Sequence, residues 1–145
     1  MILRDMTEND FDEVVNIEQR VHISPWTRGN FSDALSSGYV CKVAEVEEQI
    51  MGYAILMQGV DDAELLDIAI AAPYQRRGLG RVLLKAMMTL ACELGKKRVV
   101  LEVRKSSVAA VALYHALQFD EMGVRRDYYP AKNGREDAIL MEWKC

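Results

Sequence analysis

Gln75-Arg76-Arg77-Gly78-Leu79-Gly80 stands between a strand-like apolar run ending near Ile70 and a helix-like run starting near Gly80, and this junction constrains the fold most. Glycine carries no Cβ, so backbone amides there can converge on an anion while the helix N-terminus adds its dipole. Arg76 and Arg77 add forked donors for further phosphate oxygens. The construction suits the diphosphate of a nucleotide-type ligand. It is not a nucleoside-triphosphate loop, because no Gly-Lys-Ser/Thr follows, nor a dinucleotide fingerprint, because Leu83 stands where a third glycine belongs.

The rest of the chain alternates in texture around that loop. Ile2 to Arg4 can start a strand; Thr7 and Asp10 resemble a capping box for a helix with Phe11, Val14, Val15 and Val21 near one face. Ser24-Pro25-Trp26 breaks it, and Thr27 can cap a second helix carrying Phe31 and Leu35 up to Gly38. Val40 to Val46, Met51 to Met57 and Glu64 to Ile70 read as strands joined at Glu47-Glu48-Gln49 and Asp61-Asp62. After the loop, Leu84, Met87, Met88, Ala91 and Leu94 recur at helical spacing until Gly95. Arg98 to Val103 is a further strand. Ser106 or Ser107 can cap a helix with Ala109, Ala112, Leu113 and Ala116 on one side, and Glu121 to Tyr128 and Ala138 to Trp143 are late strands. With no linker or repeat, residues 1–145 are expected to form a single α/β domain.

Composition narrows the function. Apolar residues make up 50% and charged residues 28%, a balance that supports a packed core. The formal net charge of -4 argues against general nucleic-acid affinity, which needs an excess of Lys and Arg. No apolar run is long enough to span a membrane and no signal peptide is visible. Cys41, Cys92 and Cys145 are odd in number and widely spaced, so neither a disulfide framework nor a metal site is expected, and a reducing cytoplasm fits best. His22 and His115 read as isolated polar residues, without the partners of a triad or metal site. Met87 and Met88 read as core.

At the glycine loop the chain resembles the GNAT superfamily of N-acetyltransferases, whose hallmark, Gln/Arg-x-x-Gly-x-Gly/Ala, is met position by position by residues 75–80. The likeness covers nearly the whole chain and is greatest toward the RimI-type ribosomal-protein alanine N-acetyltransferases. Ile17-Glu18-Gln19-Arg20, Pro25-Trp26-Thr27, Leu101-Glu102-Val103-Arg104, Ala112-Leu113-Tyr114, Arg125-Arg126-Asp127-Tyr128-Tyr129-Pro130 and Glu136-Asp137-Ala138-Ile139 carry it. The resemblance implies a mixed, mostly antiparallel central sheet of about seven strands flanked by four helices. It also implies acetyl-CoA as cosubstrate, held by the backbone of Ile68, Ala69 and Ile70 and by Gln75, Arg76, Arg77, Gly78, Leu79, Gly80 and Arg81. Ser107 stands where the family usually has an asparagine that contacts the cofactor; a serine there is shorter and can instead cap the helix.

Glu102 interrupts an apolar strand, so on sequence alone it is either an exposed glutamate paired with an arginine or a functional carboxylate. Tyr114 lies one step off the apolar side expected for its helix, which places its ring at the core edge and its hydroxyl toward a cleft. The resemblance implies that Glu102 is the general base and Tyr114 the acid that protonates the thiolate. It implies direct attack in a ternary complex on the N-terminal alanine of a ribosomal protein. Trp26, Tyr128 and Asp137 are candidates to line the peptide groove. A small amine or a lysine side chain is the competing acceptor, and a non-catalytic acyl-CoA-binding module the competing class. The family's usual Leu-Gly-Phe is here Leu117-Gln118-Phe119, which predicts a left-handed, strained Gln118.

Overall fold

The structure is a computed structural model that describes residues 1–145. A seven-stranded sheet of order β1-β2-β3-β4-β5-β7-β6 is accompanied by four helices, the mixed α/β architecture expected. β4 (Asp62–Ile70) and β5 (Arg98–Arg104) run parallel. The β1–β2, β2–β3, β5–β7 and β6–β7 pairs are antiparallel. The chain forms two compact units, Met1–Gln58 with Leu66–Met87, and Gly59–Leu65 with Met88–Cys145.

In the first unit, β1 (Ile2–Asp5) leads through a 3-10 turn at Glu8–Asp10 into α1 (Phe11–Val21). Asp10 organises that start. Its carboxylate accepts from the Thr7 amide at 2.8 Å and from the Arg4 guanidinium at 2.8 and 2.9 Å. The bond to Arg4, opposed by burial, holds the Asp10 carboxyl below the usual carboxylate range. α1 buries Phe11, Val14, Ile17 and Glu18, spaced as one helical face. α2 (Arg28–Ser36) opens on a reciprocal cap: Thr27 Oγ1 accepts from the Asn30 amide at 3.2 Å and Asn30 Oδ1 from the Thr27 amide at 2.9 Å. Phe31 is wholly buried there, and Gly38 ends the segment at φ 77°. β2 (Val40–Val46) and β3 (Gln49–Gln58) meet in a two-residue turn in which Glu47 and Glu48 both take positive φ.

In the second unit, β5 and β7 (Gly134–Lys144) pair from Arg98↔Lys144 to Arg104↔Ala138, and β6 (Asp120–Ala131) pairs with β7 outside them. Asp62 is not part of the turn before β4. It opens the strand, and its carbonyl accepts from Gly59 N–H at 2.7 Å. α3 (Leu79–Glu93) ends before Leu94, which is exposed rather than core, because the chain turns at Gly95 (φ 82°).

α4 (Val108–Ala116) buries a different face from the one expected. Ala109, Ala112 and Ala116 are exposed and Leu113 is half-buried, while Tyr114 is the buried residue. The helix is apolar nearly all round, so periodicity selects no face. A tyrosine ring has far more area to withdraw from water than a methyl group, and it decides the orientation.

The cysteines also depart from expectation: Cys92 and Cys145 form a disulfide with their Cα atoms 5.5 Å apart. The end of β7 returns beside the α3–β5 connection, where the Cys145 amide donates to Lys97 O at 3.0 Å. The 53-residue separation gives no local signal of that contact. Cys41 is free and buried.

Gln118 adopts φ 70°, the left-handed conformation expected where glycine would be unstrained. Gln118→Gly is expected to raise the unfolding free energy by about 0.5–1 kcal/mol, the relief of strain less the entropy glycine returns to the unfolded chain. Urea denaturation measures it; an unchanged or lower midpoint would contradict the strain.

Candidate active site

The glycine loop is a sharp turn that leads into α3. After a 3-10 turn at Ala72–Tyr74, Arg76 and Gly78 both take positive φ, 63° and 76°, and a Cβ at Gly78 would meet nothing within 4 Å. Val82 N–H donates to Gly78 O at 3.3 Å, which leaves the amides of Leu79, Gly80 and Arg81 ahead of it without an intrahelical carbonyl. Those groups head a helix of 15 residues. The Gln75 side chain donates to Ile70 O at 2.8 Å and so staples the loop to the end of β4. Arg77 lies over the Tyr74 ring at 5.9 Å. Ile68, Ala69 and Ile70 lie beyond Leu65↔Leu101, the last pair of the β4–β5 ladder.

Glu102 lies on the β5 face opposite the buried Val99, Leu101 and Val103, and it has company. Arg125 Nε approaches its Oε1 at 3.1 Å, and the Arg125 guanidinium lies 5.3 Å from the Tyr128 ring centroid. The Tyr128 hydroxyl bonds Glu102, whose charge, ahead of burial and of that bond, raises the phenol's pKa. Glu64 adds a second carboxylate. Burial first, and then the charge of Glu102, push its pKa up against the opposing pull of Arg125. The patch therefore combines two carboxylates, a cation and a phenol. Tyr114 is buried with its ring 5.7 Å from Phe119.

Trp26 is half-buried with its ring 5.1 Å from Phe31. Asp137 accepts from the Asp127 amide at 2.9 Å and steadies a bulge where Asp127 is left-handed at φ 51°. Glu136 pairs with Arg104 at 2.8 Å and accepts from the Ser106 hydroxyl at 3.0 Å. Ser107 occupies the N-cap position of α4 but makes no side-chain capping bond.

His22 is not isolated. Its Nε2 lies 3.0 Å from Asp67 Oδ1, 3.7 Å from Glu18 Oε1 and 3.1 Å from Ile68 O. Glu18 is buried and accepts from the Tyr53 hydroxyl at 2.7 Å and the Trp26 amide at 3.0 Å. Burial, then the hydrogen bond and charge of Asp67, push the Glu18 carboxyl up to about 8. Burial alone would lower the His22 pKa, but Asp67 and Glu18 outweigh it and raise it. His115 also has a partner, Glu121 at 3.1 Å on the surface.

The model of the acetyltransferase (GNAT) family matches residues 3–119. This chain belongs to the GNAT family. It is similar to the ribosomal protein bS18-alanine N-acetyltransferase of Escherichia coli K12, 39% identical over 132 residues that cover 91% of this chain and 89% of that protein. The crystal structure of ribosomal-protein-S18-alanine N-acetyltransferase from Escherichia coli matches with a TM-score of 0.92 at 36% identity, covering 99% of this chain and 92% of that one. A putative acetyltransferase from Salmonella typhimurium, solved with its cofactor acetyl-CoA, shares the fold at a TM-score of 0.82 and 20% identity, covering 99% and 93% of the two chains.

As a GNAT protein the chain is an N-acetyltransferase. Sequence reasoning singled out the loop, Glu102, Tyr114 and Tyr128, but it did not place Glu64 and Arg125 beside Glu102 or gather Glu18, His22 and Asp67 into a cluster. One signal for the cluster was present: Glu18 and His22 are four apart at the end of the α1 pattern, the spacing that brings side chains together on a helix. Asp67 gave another, a charge on the face of β4 that otherwise buries Ala63, Leu65 and Ala69. No helix of the GNAT chain is long and apolar enough to cross a membrane.

Proposed function

We propose that this enzyme, a single catalytic domain over residues 1–145, acetylates the α-amine of an N-terminal alanine on a ribosomal protein, with acetyl-CoA as donor and direct attack in a ternary complex. The observation that carries the reading is the 39% identity, across 91% of the chain, to an enzyme named for that reaction. Acetyl-CoA supplies the activated acyl group. The exposed turn of Gln75–Gly78 and the leading amides of α3 fit its pyrophosphate, with Arg76 and Arg77 as further donors. The backbone of Ile68–Ile70 holds the pantetheine arm, and Ser107 stands at the family's asparagine position.

An α-ammonium has a pKa of about 7.7–8.0, so a carboxylate acting through water suffices to take its proton, whereas a lysine at about 10.4 demands a stronger base. Glu102 takes that proton. The Arg125 guanidinium sits on Glu102 and against Tyr128, and this pairing supports a reading in which the patch receives a cationic group. Tyr114 gives its hydroxyl proton to the departing sulfur. Trp26, Tyr128 and Asp137 orient the peptide.

A peptide with the bS18 N-terminus, incubated with labelled acetyl-CoA, is expected to carry the label on its α-amine. Label on lysine side chains alone, or faster turnover of small amines, would overturn the substrate assignment.

A further inference from the structure

The buried Asp67 Oδ2 accepts no hydrogen bond from any fixed donor. Asp67 lies on the apolar face of β4 with its side chain only 4% exposed, and the Glu18 side chain is 2% exposed. Two neighbouring buried carboxylates do not both remain charged without a shared proton or a cation, whether the imidazolium of His22 or a metal ion. That need, together with the imidazole beside them, defines what the cluster can receive.

We propose that Glu18, His22 and Asp67 form a binding site for a divalent cation of the zinc class. One ligand atom from each lies within 4.8 Å of the others. A tetrahedral site with arms of about 2.0–2.2 Å has edges of roughly 3.4 Å. The His22 Nε2 distances of 3.0 Å to Asp67 Oδ1 and 3.7 Å to Glu18 Oε1 bracket that edge, so small side-chain rotations seat the ion. Imidazole nitrogen with two carboxylate oxygens is a donor set zinc accepts, and it leaves a fourth position open.

The surroundings fit as well. The Tyr53 hydroxyl on Glu18 Oε1 and the Trp26 amide on Oε2 fix the carboxylate in the manner of outer-shell partners. His22 is 36% exposed and gives an ion a way in. The site would clip the last turn of α1 to β4 one residue before Ile68.

Cobalt(II), as a spectroscopic substitute for zinc, tests this on the full chain. Expected are one cobalt per chain, visible bands of tetrahedral nitrogen–oxygen ligation, displacement by one equivalent of zinc, and a zinc-dependent rise in melting temperature. Asp67→Asn and His22→Gln should each weaken binding about 100-fold or more, a larger loss than outer-shell changes cause. Imidazole nitrogen NMR of the unaltered protein reads the same point without a variant, since the His22 Nε2 signal must move on adding zinc. Absence of stoichiometric binding by the unaltered protein would reduce the cluster to a shared proton and overturn the proposal. So would binding retained in both variants, a thiolate charge-transfer band that places the ion on cysteine, or an unmoved His22 signal.

Discussion

Glu102→Gln is expected to lower kcat by about 10²- to 10⁴-fold, the usual loss when a positioned acid–base group is removed. Glutamine preserves the shape of the side chain and can still accept a hydrogen bond from Tyr128, but it takes no proton. The Arg125 pair is lost too, yet Arg125 is 55% exposed, and such pairs contribute about 1 kcal/mol or less to stability. Folding should therefore survive while turnover does not. The pH profile separates a missing base from a disturbed site. Above the α-ammonium pKa of about 7.7–8.0 the acceptor is already neutral, so the defect should shrink as pH rises. A deficit of the same size from pH 6 to 10, or none at all, would remove Glu102 from the role of base. Tyr114→Phe is the natural comparison, because it keeps the ring packed near Phe119 and deletes only the hydroxyl.

Gly52→Ala is expected to destabilise the fold by about 3 kcal/mol, at the upper end of what overpacking costs. A Cβ built on Gly52 in β3 falls 2.6 Å from Ala69 O and 2.8 Å from Ile70 Cδ1. The isoleucine methyl can swing aside, but the Ala69 carbonyl belongs to the backbone of β4 and yields only if the strand moves. Cofactor affinity should fall along with the urea midpoint, because Ile68–Ile70 is the stretch assigned to the pantetheine arm. Binding of coenzyme A by calorimetry and denaturation on the same variant test both halves. A variant as stable as the parent would show that β4 is more compliant than this packing implies.

Much of the framework could be read from local chemistry. Thr27 was expected to cap the second helix and does so, with Asn30 as its partner; Gly38 and Gly95 predicted helix ends and take positive φ; Gln118 was expected to be left-handed and is. Each outcome depends on groups within a few residues, so sequence suffices. The buried face of α4 is not legible in the sequence, for the opposite reason. An apolar helix offers no local preference, and the rotation that buries Tyr114 is chosen by what it packs against.

The site divides in the same way. By itself the sequence determined the order of strands and helices, the strand-to-helix loop at Gln75–Gly80 and the family, because these rest on backbone freedom and periodicity along a contiguous run. Only the tertiary structure decided that Arg125 sits on Glu102, that Cys145 reaches Cys92, and that His22, just after α1, meets Asp67 of β4. Those partners lie 23, 53 and 45 residues apart. Charge, reactivity and metal affinity depend on separations of a few ångströms, which the chain acquires only when its strands are paired and its helices packed.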